Sequence, residues 1–177
     1  MEYSILHNIP DLSTYQSFTE RYFTKRYVLN VNGIENNDIM IMFHSNRITL
    51  ITLAPSHFFF KTDGDYKLNF TIGNIDRLTN TVKGKGKKGG QVLNPKSVVC
   101  KVEFDNGPSF DVLSCMKGTL VEINEELVKN PKLLKVFPDS DGFIAIILSS
   151  IAVSEMNYEI KTCSNIPDNR SKTTYKI

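Results

Sequence analysis

The chain has no apolar run near the roughly 18 residues that a membrane-spanning helix requires. Its longest such run, Phe143 to Leu148, fits a buried strand. The N-terminal MEYSILHNIPD has neither a basic leading region nor a sustained apolar stretch, so no export signal and no membrane partner are expected. Three cysteines, Cys100, Cys115 and Cys163, form no CxxC pair. An odd count without an export signal points to reduced thiols in cytosol or nucleus. Strong charge is missing too: 21 Lys and Arg stand against 19 Asp and Glu, a net +2. That balance does not suggest a general nucleic-acid binder. Without secretion, the sequons Asn69-Phe70-Thr71 and Asn169-Arg170-Ser171 are expected to be chance matches.

What is present suits a small globular domain. The 177 residues are 41% hydrophobic and 23% charged, which allows one domain with tails. We divide the chain into a loose tail over 1–17, a domain over 18–150, and a C-terminal element with a disordered tail over 151–177. Ser17-x-x-Glu20 is a capping box that predicts a short helix near 18–25. Asn30 to Asp38 is turn-rich and reads as a mobile loop. Ile39–Phe43 and Ile48–Leu53 flank His44-Ser45-Asn46-Arg47 as a hairpin. Tyr66, Leu68, Phe70 and Ile72 alternate with polar residues, as do Val98, Cys100, Val102 and Phe104.

The stretch from Val112 to Leu148 orders the rest. A strand, a tight Lys117-Gly118 turn and a second strand lead to an Asn124 cap with Glu125 and Glu126, then an Asn130-Pro131 restart. Asp139-Ser140-Asp141-Gly142 turns into a last apolar strand. Together with a weak echo between NTVKGKGKKGGQVL and LSCMKGTLVEINEEL, this order predicts a mostly β barrel-sandwich hybrid. It carries the short helix at its start and a capping helix-turn near 124–136.

Several residue groups invite chemistry. Gly84-Lys85-Gly86-Lys87-Lys88-Gly89 matches GxGxxG, but no helix can follow through Gln91-Val92-Leu93-Asn94-Pro95, so dinucleotide binding lacks its context. The same segment places Lys83, Lys85, Lys87 and Lys88 within six residues, either a cationic contact loop or a lysine-guarded edge. Arg21, Lys25 and Arg26 interleave with Tyr22, Phe23 and Tyr27, which suits an anchor for a partner or a packed amphipathic helix. His44 beside Ser45 lacks a third group to complete a nucleophile's triad, and His44 with Asn46 is expected to bond the turn backbone. Cys100, Cys115, His44 and His57 lack the close pairing of a zinc site. Glu122, Glu125 and Glu126 form an acidic strip.

The residues from 21 to 148 resemble the Abitram (Simiate) family of actin-binding transcription modulators. The resemblance rests on RYFT at 21–24, HSNRI at 44–48, ITLAPSH at 51–57, VKGKGKKGGQVL at 82–93, SCMKGTLVEINEEL at 114–127 and DGFIAIIL at 141–148. It implies a non-enzymatic, cofactor-free protein that binds actin and affects filament assembly and cell protrusions. It further implies cytoplasmic and nuclear pools, with nuclear protein partners linked to transcription; direct nucleic-acid binding is not expected. Actin presents an acidic surface, so Lys83, Lys85, Lys87 and Lys88 are the first contact candidates and Arg21, Lys25 and Arg26 the second. The C-terminal half is also similar to glycine-cleavage H-proteins and lipoyl domains. In those carriers a hairpin tip bears a lysine, whereas the corresponding tip here reads Asp105-Asn106-Gly107-Pro108. Lys101 and Lys117 lie away from that slot, which makes a lipoyl-like carrier the alternative reading.

Overall fold

The computed structural model describes residues 16–105 and 107–149. The expected tail before Gln16, the element near 151–160 and the tail from Lys161 lie outside the described residues. Helix α1 (Phe18–Tyr22) begins on a complete capping box. The Glu20 amide donates to Ser17 Oγ at 3.3 Å, and the Glu20 carboxylate accepts from the Ser17 amide at 2.8 Å. Those bonds hold the Glu20 carboxyl below its ordinary pKa.

The helix ends sooner than the expected residue 25. From Phe23 the chain is extended as β1 (Phe23–Val28), antiparallel to β2 (Ile39–His44). Aromatic and β-branched residues favour the strand, and a ladder along β2 outweighs one further helical turn. Lys25 and Arg26 therefore stand on a strand, not a helix. Strands β2 and β3 (Ile48–Leu53) make the expected hairpin. Strand β3 also pairs with the last described strand, β11 (Ala145–Ser149). Beyond β11 lie β10 (Gly118–Ile123) and the short β7 (Val92–Leu93). The six run β1-β2-β3-β11-β10-β7 in one antiparallel sheet. A second sheet holds β4 (Tyr66–Asn69), β8 (Val98–Phe104) and β9 (Ser109–Leu113), and β5 (Thr71–Ile72) pairs with β6 (Ile75–Asp76). The mostly β architecture is the expected one, laid out as open sheets that do not close into a barrel.

Alternation explains which faces meet. In β4, Tyr66 and Leu68 are buried while Lys67 and Asn69 are exposed. Ile39, Ile41, Ile51 and Leu53 of the large sheet join Leu68, Val102 and Val112 of the smaller one in a single core around Phe59. Each such side chain contributes about 1.5–3 kcal/mol by leaving water. Across the large sheet, Met40, Met42 and Ala54 pack with Phe23, Tyr27 and Leu50 in a separate small cluster. Burial there raises the Tyr27 phenol above its ordinary pKa.

The capping helix-turn near 124–136 resolves into α2 (Glu126–Lys129) and α3 (Leu133–Val136), which direct Leu127 and Leu134 inward. Asn124 caps as expected: Oδ1 accepts from the Glu126 amide at 3.2 Å, and Nδ2 donates to the carbonyls of Asp141 and Phe143 at 2.7 and 2.8 Å.

Two further expectations give way. The Lys117-Gly118 segment is not a hairpin turn but a crossover between sheets, since β9 stays with β8 while β10 joins β11 and β7. Cys115, at φ 53°, bends the chain there, and Ser114 Oγ donates to the Asn94 carbonyl at 2.6 Å. The stretch from Asn30 to Asp38 is not a loose loop. The Asp38 carboxylate accepts from the Asn30 amide at 2.8 Å and from the Ser56 hydroxyl, and Asn37 is buried.

Candidate functional site

The glycine- and lysine-rich segment folds as a tight turn closed by a single antiparallel bridge between Lys83 and Lys88. The Lys83 amide donates to the Lys88 carbonyl at 2.9 Å, and the Lys88 amide returns the bond at 3.0 Å. Between them the Lys87 amide closes the turn on the Gly84 carbonyl at 3.1 Å. Gly84 at φ 66° and Lys87 at φ 52° are both left-handed, a region where a lysine is held only by surrounding constraint. Lys83, Lys85 and Lys88 are exposed and Lys87 is half-buried. Among the described residues none of the four joins an ion pair. The segment therefore presents a concentrated, uncompensated positive charge.

The base of this turn is a polar lattice that the sequence reading missed. Asn80 Nδ2 donates to the carbonyls of Leu120 and Val121 at 3.0 and 3.2 Å, and Asn80 Oδ1 accepts from the Gln91 amide at 2.8 Å. Gln91 Nε2 donates to the Asp76 carbonyl at 2.9 Å, while Gln91 Oε1 accepts from Arg77 Nη1 at 2.6 Å. Arg77 is buried and directs Nε and Nη2 to the Val98 carbonyl at 3.2 and 2.9 Å. Burial lowers its pKa from the ordinary value, yet a guanidinium stays charged. A Cβ at Gly90 would lie 2.7 Å from the Leu120 carbonyl oxygen, so only glycine lets the returning chain lie this close to β10. The one sequence signal for this lattice is weak: Asn80 and Gln91 bracket the Gly/Lys run.

The structure does not bring Arg21, Lys25 and Arg26 to that turn. They lie on α1 and β1, and β1 and β7 are opposite edges of the six-stranded sheet, roughly 24 Å apart at ~4.8 Å per strand. Arg21 is exposed with its guanidinium 5.5 Å from the Tyr22 ring centroid. Lys25 pairs with Asp139 at 2.9 Å, and Arg26 Nη1 donates to the Lys25 carbonyl at 3.2 Å. Of the acidic strip, Glu126 pairs with Lys129 at 2.8 Å.

The two histidines among the described residues, His44 and His57, are engaged by backbone. His44 Nδ1 accepts from the Asn46 amide at 3.2 Å and Asn46 Oδ1 from the Ile48 amide at 3.0 Å, the turn role expected of both. His57 is fully buried. Its Nδ1 accepts from the Phe59 amide at 3.0 Å, which leaves Nε2 to donate to Asn37 Oδ1 at 2.9 Å. Burial pulls its pKa down to about 4. Burial also raises the thiol pKa of Cys115 to about 12, and that of Cys100 upward. Among the described residues no three metal-ligating side chains converge.

Strands β8 and β9 pair antiparallel, with Glu103 opposite Ser109 at their joined ends. Lys101 lies within β8, 3.7 Å from Glu103, and Lys117 is exposed on the crossover. A shallow cleft of about 340 Å³ beside α3 is lined by Tyr66, Pro131, Lys132 and Lys135. Its Tyr66 hydroxyl and Lys135 ammonium already donate to the carbonyls of Pro131 and Thr62.

No protein-family model matches the chain. It is 36% identical to the Abitram protein of Xenopus tropicalis over 146 residues, which cover 81% of this chain and 80% of that one. The Abitram protein of Homo sapiens is 38% identical over 141 residues, 78% of each chain. The chain belongs to the Abitram family. The Abitram protein of Drosophila melanogaster is 42% identical over 139 residues, and there the match spans 77% of this chain but 62% of the relative. Among solved structures, a glycine cleavage system H protein from Mycobacterium marinum is similar at a TM-score of 0.44 and 11% identity, over 69% of this chain and 91% of that one.

Two of the Abitram-like stretches have structural work. HSNRI builds the β2–β3 turn. ITLAPSH joins two loops: the Ala54 amide donates to the Asp38 carbonyl at 3.0 Å, and the Phe58 amide, next in the chain, to the Asn36 carbonyl at 2.9 Å. VKGKGKKGGQVL differs from both, because beside the structural Gly90 and Gln91 it exposes Lys83, Lys85 and Lys88.

Proposed function

We infer that this member of the Abitram family is a non-enzymatic actin-binding protein. In this reading it regulates filament assembly and cell protrusions, and a nuclear pool modulates transcription through protein partners. The observation that carries the reading is the hydrogen-bonded turn bearing Lys83, Lys85, Lys87 and Lys88, none of which joins an ion pair among the described residues. An acidic actin surface is the complementary chemistry, and several rim charges must act together because each alone contributes little. Arg21 extends the basic character at the far sheet edge, beside the exposed rings of Phe18 and Tyr22. Lys25 is a poorer contact, since Asp139 already neutralises it. The engagement of His44 and His57 by backbone supports a binding protein over a hydrolase.

The test is co-sedimentation with filamentous actin over a salt series, with Lys83, Lys85, Lys87 and Lys88 all changed to Glu. The expected result is a loss of affinity of about tenfold or more at low salt and a flattened salt dependence. Unaltered binding removes the turn from the contact. The carrier alternative requires a modifiable amine at a mobile tip, and here Lys101 sits mid-strand beside Glu103. Intact mass after expression with a lipoyl ligase separates the two readings: an adduct on Lys101 or Lys117 favours the carrier.

A further inference from the structure

We propose that Asn80 and Gln91, braced by Arg77, are positioning residues that hold the four-lysine turn in one binding-ready conformation. This inference rests on the reading of that turn as the actin contact. Thr81 and Val82 separate Asn80 from Lys83, and Gly89 and Gly90 separate Lys88 from Gln91, so the two side chains stand on the two stems of the turn. The two are joined directly, side chain to amide, at 2.8 Å. Both are then tied to neighbouring structure that does not move with the turn. Asn80 is bonded to two successive carbonyls of β10, and Gln91 accepts the guanidinium of Arg77 and donates to the Asp76 carbonyl. The Leu120 amide donates to the Gln91 carbonyl at 2.8 Å, so the second stem is anchored through backbone as well.

Arg77 is buried and pairs with no carboxylate among the described residues, whereas buried arginines are usually paired. Its fork reaches the Val98 carbonyl and the Gln91 side chain, which links the turn's base to the second sheet through β8. A lysine-rich, glycine-rich segment would otherwise sample many conformations, and ordering each long side chain and stem on binding would subtract from affinity. The lattice removes part of that loss before the partner arrives. It also explains how Lys87 is kept left-handed inside a run of glycines.

The test uses the full chain with Asn80→Ala and, separately, Gln91→Ala, neither of which changes a charge. Hydrogen exchange is read at the Lys83 and Lys88 amides, whose mutual bonds close the turn. Exchange there is expected to quicken by about tenfold or more, with core amides such as that of Ile51 unchanged. Affinity for filamentous actin is expected to fall about three- to tenfold with the same salt slope, because the number of cations is unchanged while their order is lost. A simple loss of fold stability would quicken core exchange and leave the affinity of the folded fraction intact, and that pattern overturns the proposal. Unchanged exchange at Lys83 and Lys88 also overturns it. Gly86→Ala is the variant with room for its side chain: a Cβ there meets nothing within 4 Å, and it stiffens the chain. Tighter actin binding, about twofold, supports the proposal; weaker binding opposes it. If the four-lysine reversal leaves actin binding intact, the turn is not the actin contact, and the exchange rates alone then decide whether Asn80 and Gln91 hold it; if the unaltered chain does not sediment with actin at all, the actin reading itself fails.

Discussion

Two polar lattices in this molecule look alike on paper and do opposite things. Around His57, the side chains of Asn37, Asp38 and Ser56 lock the loop over 30–38 to the loop after β3, and nearly every polar atom is out of water. Around Gln91, the side chains of Asn80 and Arg77 lock a hairpin base, but the hairpin itself carries its cations into solvent. The first lattice serves the fold, and its loss leaves buried donors and acceptors without partners. The second serves presentation, and its loss should be felt mainly by whatever meets the lysines. Burial decides which is which: the same hydrogen bonds matter more where water cannot replace them.

The comparison is broken or sharpened by a graded set of changes. Asn37→Ala has the largest expected effect, about 2–4 kcal/mol in urea unfolding, because it strands His57 Nε2 in the interior and removes one of the two bonds to the Val31 carbonyl, which keeps only the Ile34 amide. Actin affinity of the folded fraction should stay as it was; a fall would mean the two lattices are coupled.

Acid should act through the same lattice. His57 has a folded pKa of about 4, below its ordinary 6.5, so the unfolded chain takes up the proton first. Its contribution is complete above pH 6.5, fades as pH falls toward 4 by up to about 1.4 kcal/mol per pH unit, and loses nothing further below that. Urea midpoints between pH 7 and 4 measure it, and His57→Gln should flatten the slope.

A smaller effect is expected at Lys25 and Asp139. That pair is partly solvated, with side chains 26% and 41% exposed, and a double-mutant cycle should return less than about 1 kcal/mol. The smallest belongs to the lysine turn. Reversing all four of its charges should change stability by less than about 0.5 kcal/mol while abolishing the salt-dependent part of actin binding. A large loss of stability instead would assign the turn to the fold and erase the contrast.

Much of the architecture could be read beforehand because it follows from local chemistry. Alternating apolar residues marked β4 and β8, and two β-branched runs around a polar break marked the β2–β3 hairpin. Ser17 with Glu20 marked the start of α1, and Asn124 the entry to α2. The end of α1 was misread because its last predicted turn depends on β2, a partner distant in sequence. Asn30 to Asp38 was misread because turn-forming residues look the same whether their side chains face water or a buried histidine. The Lys117-Gly118 crossover was misread because a Lys-Gly pair suits a tight turn equally well when the flanking strands belong to different sheets.

By itself the sequence determined the mostly β class, the run of four lysines on a glycine-rich turn, and the family to which the chain belongs. These depend on residue type, spacing and the literal order of motifs. Tertiary structure alone decided that Lys25 is neutralised while Lys83, Lys85, Lys87 and Lys88 join no ion pair among the described residues, and that Asn80, Gln91 and Arg77 stand beneath them. The physical reason is range. Propensity and periodicity act over a few neighbouring residues, whereas a counter-charge or a bracing hydrogen bond comes from whatever the folded chain carries within about 3 Å, such as Asp139, 114 positions from Lys25.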